Sequence, residues 1–525
     1  MKWFIKLMLP ALVLASCSKE EGSLSEIFPS STGEGTEVIS HGEMELGRKL
    51  ENPYSRENMT KALSLLYPTR SSSEQVPVTD LYVRFLPSGI EDFETLQALG
   101  VELFDHPLDR EILSDGDYYH DPQIPEGRIT WQYAVVPPDF PFPQGIETEV
   151  LEECFIPSDD LVTKGLDSVD WDSVERLSFK ETGNSSMMPA ETRAKSKSKP
   201  SGKITIKDDK LGKTVGVAGV KVVANVFVKI STTYTDGQGN YSFPAKFSAR
   251  PKYSLCFQNT KGFTIGLNLI LVPASVSTLG KDDPEGIDVS IDSKSDATLF
   301  RRCVVNNAAY DYYQRCSSTG VTAPPKKLRF WILNKAIPSS AIMMHQGAIL
   351  DNKLVSNFLD AYKVIVQVFS PDITIGSKDK NGKYAELYAT TTHEMAHASH
   401  FSQVRSAFWN VFASYILSSY LTTGSCYGTG NGENAGYCEV AEMWAYYVDN
   451  MVYKERYGSI PRRGYSNWFH PDILVSLEEG GVTRAEICQA LRPSVTNVTA
   501  FRDELINVCP AKKTLITNAF KRSTR

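Results

Sequence analysis

Histidine is scarce in this chain: there are eight in 525 residues, and three of them, His393, His397 and His400, stand together. No Cys-x-x-Cys pair occurs, which excludes a cysteine-rich zinc finger. Positive charge is not in excess either. Fifty-five Lys and Arg against 62 Asp and Glu leave a formal net charge of -7, so no field draws in a polyanion and nucleic acid is not an expected partner. Nowhere does an apolar run reach the roughly twenty residues that a membrane-spanning helix needs. What is present is ordinary: 42% hydrophobic and 22% charged residues over this length describe a globular chain of two to four domains, not a disordered or fibrous one.

Lys2 and Lys6 flank the start of an almost wholly apolar run from Leu7 to Leu14, and Leu14-Ala15-Ser16-Cys17 ends it with small residues before a cysteine. The pattern resembles a bacterial lipoprotein signal. That resemblance implies export, cleavage before Cys17, lipidation of that residue and attachment to the outer membrane. Ser18-Lys19-Glu20-Glu21 resembles the acidic tag that sends some such lipoproteins to the cell surface. Disulfides persist outside the cell, and the near neighbours Cys303 with Cys316, Cys426 with Cys438 and Cys488 with Cys509 are the expected pairs. Cys154 and Cys256 are equally open to being buried thiols.

Residues 18–77, rich in Ser, Glu, Gly and Thr with one helical stretch near Asn58 to Leu66, read as a tether. Residues 78–160 read as a small α/β domain: a strand at Leu81 to Phe85, a helix at Glu91 to Leu99, and strands at Val101 to Phe104 and Ile129 to Val136. The Ser/Lys-rich segment 181–202 cannot bury a core and reads as a linker. Residues 203–270 carry short β-rich runs joined by Val217-Ala218-Gly219-Val220 and Thr235-Asp236-Gly237-Gln238-Gly239-Asn240, with Tyr241 and Phe243 alternating. They resemble the carboxypeptidase-regulatory-like module, which implies a transthyretin-like β-sandwich. Residues 275–525 are richer in helical periodicity, with long helices over Ala348 to Phe369, Ala385 to Ser418 with a break near Gln403, and Cys438 to Tyr453.

The chemistry lies in Thr392-His393-Glu394-Met395-Ala396-His397. On a helix, residues four apart share a face, so His393 and His397 can aim at one metal ion, while Glu394, turned by about 100°, reaches a water beside the ion without ligating it. Two neutral imidazoles hold zinc, the ion lowers the pKa of its water, and the carboxylate takes the proton. A catalytic site of this kind needs a third protein ligand. His400, seven residues after His393, lies too far along the axis and is placed beside the site, in the cleft or behind the ligands. Forty-five residues after His397, Val440, Trp444, Tyr447 and Met451 form an apolar helical stripe, and Glu439, Glu442, Tyr446 and Asp449 form a second one.

An HExxH followed by Ala441-Glu442-Met443-Trp444-Ala445 resembles the gluzincin peptidases, closest to the lethal-factor type. The resemblance implies Glu442 as third ligand, with Glu439 the alternative or a group orienting a histidine, and a tyrosine shortly before the ligand, Tyr437, supporting the oxyanion; Tyr446 and His470 are also available for that part. It further implies that a strand near the helix, read at Ile373-Thr374-Ile375-Gly376, cradles extended substrate. Where that pattern carries an apolar residue, this chain has Ser399. The expected fold is therefore multidomain: a small α/β N-terminal domain, a transthyretin-like β-sandwich and a mainly helical α+β zincin-like domain. The expected function is a membrane-anchored metalloendopeptidase with one zinc ion and a protein or peptide substrate. The alternative is a surface binding or adhesion lipoprotein with an inactive zincin-like domain.

Overall fold

A computed structural model describes residues 41–68, 76–125, 128–158, 168–190, 199–266, 276–281, 283–333, 339–348, 371–376, 383–423, 425–461 and 468–523. The segment expected as a lipoprotein signal with Cys17, the part of the expected tether before residue 41, the centre of the segment expected as a linker and almost all of the helix expected over Ala348 to Phe369 lie outside the described residues.

The chain combines helices with several sheets in a mixed α/β architecture. The stretch read as tether is folded from residue 41. Strand β1 (Glu45–Lys49) is followed by helix α1 (Arg56–Leu66), whose N-cap Ser55 accepts a hydrogen bond from the Asn58 amide. Met59, Ala62 and Leu63 make a buried face despite the polar composition, packing with Val76, Phe155 and Val174. Next come β2 (Asp80–Leu86), α2 (Ile90–Ala98), β3 (Arg110–Ser114), β4 (Gln132–Val136), β5 (Glu147–Cys154) and α3 (Trp171–Glu181). Strands β4, β2 and β5 form an antiparallel sheet in that order, and β3 pairs with β1. The strand expected over Val101 to Phe104 does not form. Only Phe104 makes a bridge, with Tyr133, because Asp105, His106 and Pro107 turn the chain away at once.

The region expected as a sandwich begins a run of strands: β6 (Ser201–Asp208), β7 (Lys213–Gly216), β8 (Val220–Val226), β9 (Lys229–Tyr234), β10 (Asn240–Ser242), β11 (Lys252–Asn259), β12 (Thr264–Ile265), β13 (Val276–Lys281) and β14 (Val289–Ile291). The turn read from Asp236 to Asn240 is built by one carboxylate. Asp236 accepts from the amides of Gln238 and Asn240 at 2.8 and 2.9 Å and from the Asn240 side chain at 2.9 Å. Gly239 is obligatory there: its φ is +83°, and a Cβ would stand 2.1 Å from the Ile204 carbonyl oxygen.

Beyond these strands follow α4 (Ala297–Thr319), β15 (Arg329–Leu333), β16 (Ile373–Gly376), α5 (Tyr384–Thr423), α6 (Ala435–Tyr457), α7 (Pro471–Glu479), α8 (Arg484–Gln489), α9 (Val498–Val508) and α10 (Lys513–Ser523). Strand pairing crosses the boundary expected between 270 and 275. Strand β13 pairs with β11, β14 with β6, and β12 pairs in parallel with β15, so one seven-stranded sheet, β16-β15-β12-β11-β8-β9 with β13 beside β11, crosses it. Side chains close the joint. Asn306 and Asn307 of α4 bond the backbone of Gly216 and Ala218, and Arg456 of α6 bonds Asp208 of β6 at 2.8 Å. No disulfide joins the eight described cysteines. Cys303 and Cys316 lie thirteen residues apart on α4, about 20 Å along the axis, far beyond the Cα separation a disulfide permits. No helix of the described residues is long and apolar enough to cross a membrane.

Two local features carry measurable consequences. Asp117 is fully buried beneath a pair with Arg302 (2.9 Å), and His41 closes it from the N-terminal side, 3.1 Å from Asp117 and 3.0 Å from Asp296. Hydrogen bonding to Asp117 and then to Asp296 raises the His41 pKa from 6.5 to about 9. A group whose folded pKa is raised stabilises fully below its unfolded value and loses that effect as pH climbs through the folded one. The melting-temperature deficit of His41→Ala relative to wild type is therefore expected to be greatest near pH 6 and to fade by about pH 10; a deficit independent of pH contradicts the pairing.

The break expected near Gln403 falls at Arg405, whose φ of 64° and ψ of −175° occupy a region that only glycine enters without strain. The Arg405 side chain is exposed. Arg405→Gly is expected to stabilise the fold by about 1 kcal/mol, read as a higher denaturant midpoint at unchanged m-value.

Candidate metal centre

The first half of α5, up to Val404, runs between α4 and α6 and is buried on almost every side. Its histidines four apart do share a face, as the helical period requires: the rings of His393 and His397 lie 4.8 Å apart. Helix α6 meets this face through its apolar stripe. There the Trp444 indole donates to the Ala396 carbonyl of α5 at 2.9 Å, fixing the axial position of one helix on the other. Two residues before Trp444, Glu442 therefore points at the imidazole pair. One carboxylate oxygen is 3.4 Å from His393 Nε2 and the other is 3.4 Å from His397 Nε2. The three side chains present ligand atoms all within 4.8 Å of one another, and this buried group can hold a metal ion.

Its electrostatics follow from burial. His397 and Glu442 are 0% exposed and His393 4%. Burial alone would raise the Glu442 pKa, but the imidazoles of His397 and His393 outweigh it and hold the carboxyl well below its usual range, as an anion. The separations of 3.4 Å exceed a normal hydrogen bond. Neither carboxylate oxygen of Glu442 or Glu394, and neither ring nitrogen of His397, finds a hydrogen-bond partner among the described residues. Buried donors and acceptors are seldom left so, and a converging set of them is what a cation would satisfy. Glu394 is also 0% exposed, and burial, with the carboxylates of Glu442 and Asp449 adding to it, raises its pKa.

The other sequence candidates separate clearly. Glu439 is outside the cluster, half-buried, with its pKa pushed up to about 7 by burial. His400 is not part of the His393, His397 and Glu442 cluster. It is 1% exposed, packed 5.0 Å from Phe408 and 5.6 Å from Trp409, and burial, followed by the influence of His397, lowers its pKa to about 3. Tyr437 packs against Phe408, with ring centroids 4.7 Å apart and planes tilted by 49°. The tyrosine against a ligand is Tyr446, 4.5 Å from the His393 ring and 5.9 Å from Phe469. The sequence carried its signal, since Tyr446 follows Glu442 by four residues in the same stripe. Ser399, the departure from the zincin pattern, is 0% exposed and accepts a hydrogen bond from Tyr312 of α4 at 3.0 Å. That partner explains a hydroxyl where an apolar residue is expected.

Strand β16 forms where expected, but its outer edge is already paired. Ser340 and Thr374 exchange backbone hydrogen bonds at 3.0 and 2.8 Å, so the edge of the sheet passes to Ser339–Ala341, all three buried. Nothing local in Ser339-Ser340-Ala341 marks such a role.

Zinc titration of the purified full chain separates the two carboxylates: Glu442→Ala is expected to abolish uptake at micromolar zinc, and Glu439→Ala to retain one ion per chain. The reverse result reassigns the third ligand. Comparison of the chain with protein-family models, with curated proteins and with solved structures finds no significant match.

Proposed function

We propose that the chain is an exported zinc metalloendopeptidase, anchored to the outer membrane through lipidated Cys17, that hydrolyses peptide bonds of extracellular proteins or peptides. One observation carries the zinc reading: the 3.4 Å spacing from Glu442 to each imidazole. Two ligands at about 2.1 Å in a tetrahedron lie about 3.4 Å apart, so both separations from Glu442 suit a tetrahedral zinc ion, which would leave a fourth position for water or substrate. Bound there, zinc would supply a Lewis acid and a water acidic enough to ionise near neutral pH.

The remaining parts belong to the chain itself. His393 and His397 act as neutral imidazoles, and Glu442 supplies the one negative charge among the three ligands. Glu394, on the same helix but turned away from the ligand line, takes a proton at its carboxylate and returns it to the departing amine. Tyr446, against His393, is the phenol placed to support the substrate carbonyl oxygen as charge grows on it. The several acyl chains implied at Cys17 would make attachment effectively permanent, since one alone is marginal.

Glu394→Gln tests the chemistry directly. It is expected to lower kcat/KM on a denatured protein or peptide library at least about 100-fold while zinc stays near one per chain. Tyr446→Phe is expected to lower kcat more than Tyr437→Phe does. A zinc-loaded wild type that cleaves nothing in such a library would instead favour the surface-binding reading.

A further inference from the structure

Glu394, the group that must meet substrate in the proposed reaction, is 0% exposed, as are both His397 and Glu442. Three observations say what holds the site in this state. Between Tyr384 and Thr423 there is neither Gly nor Pro, yet the helix breaks at Arg405 in a backbone region that favours glycine. Four residues on, Trp409 is 0% exposed, its ring 5.9 Å from His397 and 5.6 Å from His400. Its indole N–H donates to the Ala341 carbonyl at 2.9 Å. Ser340 turns its own backbone groups to Thr374, so alternation along an extended chain turns those of Ala341 to the outer edge. That edge is buried in this state, with Ser339, Ser340 and Ala341 at 2%, 0% and 3% exposure, and once uncovered it is where an added peptide strand would pair.

We propose that Trp409 is a built-in stand-in for substrate, its indole N–H occupying the place of a peptide N–H, and that the kinked α5 is the closed state of a two-state helix. In the open state Arg405 takes ordinary helical dihedrals and α5 continues straight. Trp409 then leaves the Ala341 carbonyl, and an extended, unstructured peptide segment takes it. Local helix preference favours opening; the Trp409 hydrogen bond and the contacts of Phe408, Trp409 and Phe412 favour closure. Opposed terms of this kind give two populated states that a ligand can shift. The inference rests on the peptidase reading for its meaning, but the two states are testable without it.

Two variants must move in opposite directions. Arg405→Gly removes the cost of the kink and weakens the straight helix, so it deepens closure. Trp409→Phe keeps a ring in the core but deletes the donor, so it favours opening. For the zinc-loaded full chain, kcat/KM on a peptide library and the rate at which a chelator extracts the metal are both expected to rise about fivefold or more in Trp409→Phe, the effect of losing one buried hydrogen bond, and to fall in Arg405→Gly. Equal rates in all three proteins, or shifts of one sign, overturn the proposal. In metal-free protein, alkylation of the thiol introduced by Ala341→Cys reads the same equilibrium. It is expected to be slower with Arg405→Gly and faster with Trp409→Phe, and identical rates overturn the two-state helix. Failure to bind zinc or to cleave any peptide, with the alkylation rates still split, overturns the peptidase reading and leaves the helix equilibrium standing.

Discussion

The crossing of α5 and α6, fixed by the hydrogen bond from Trp444 to the Ala396 carbonyl, is the contact on which the site depends. A one-turn slip along either helix would move a ligand by about 5 Å and separate Glu442 from the imidazoles. The bond can set position so strictly because an indole N–H buried away from water must find an acceptor. The Ala396 carbonyl belongs to the same helical turn as the histidines, so satisfying that donor and aligning the carboxylate are one event.

Around this crossing the chain sets polar side chains against backbone where its parts meet. Asn306 and Asn307 hold the Gly216–Ala218 backbone on α4, Tyr312 reaches Ser399 behind the histidines, and Gln403 bonds Thr322 at 2.8 Å. Arg456 lies over the rings of Tyr384, Tyr388 and Tyr457 while its guanidinium bonds Asp208. Cation–ring contacts gain when shielded from water. A single arginine near the end of α6 thus ties strand β6 to both helices of the candidate metal centre.

Much of this was legible in the sequence where a signal was local. The helical period placed His393 and His397 on one face and gave α6 an apolar stripe that packs on the core, and the Asp-Gly-Gln-Gly-Asn run specified its turn. What could not be read depends on distance along the chain. Residues 41–68 look like a tether by composition, yet Met59, Ala62 and Leu63 find partners about a hundred residues away in Phe155 and Val174. His400 looks like part of the cleft by spacing, but Phe408 and Trp409 enclose it only because α5 turns back at Arg405. Equally, no local rule says that Ser340 covers the edge of Thr374. Tyr446 was visible as a member of the Glu442 stripe, but that its ring and not that of Tyr437 lies against His393 depends on which face of α6 meets α5.

The sheet that crosses from the region expected as a sandwich into the helical part limits how the chain can be divided. A fragment starting at residue 275 would carry β13 and β14 with it, stripping β11 and β6 of partners and leaving bare rows of amides and carbonyls on both pieces. Unpaired edges of this kind invite pairing between molecules. The two pieces would be sticky halves of one body, and any processing that leaves a soluble product must cut elsewhere.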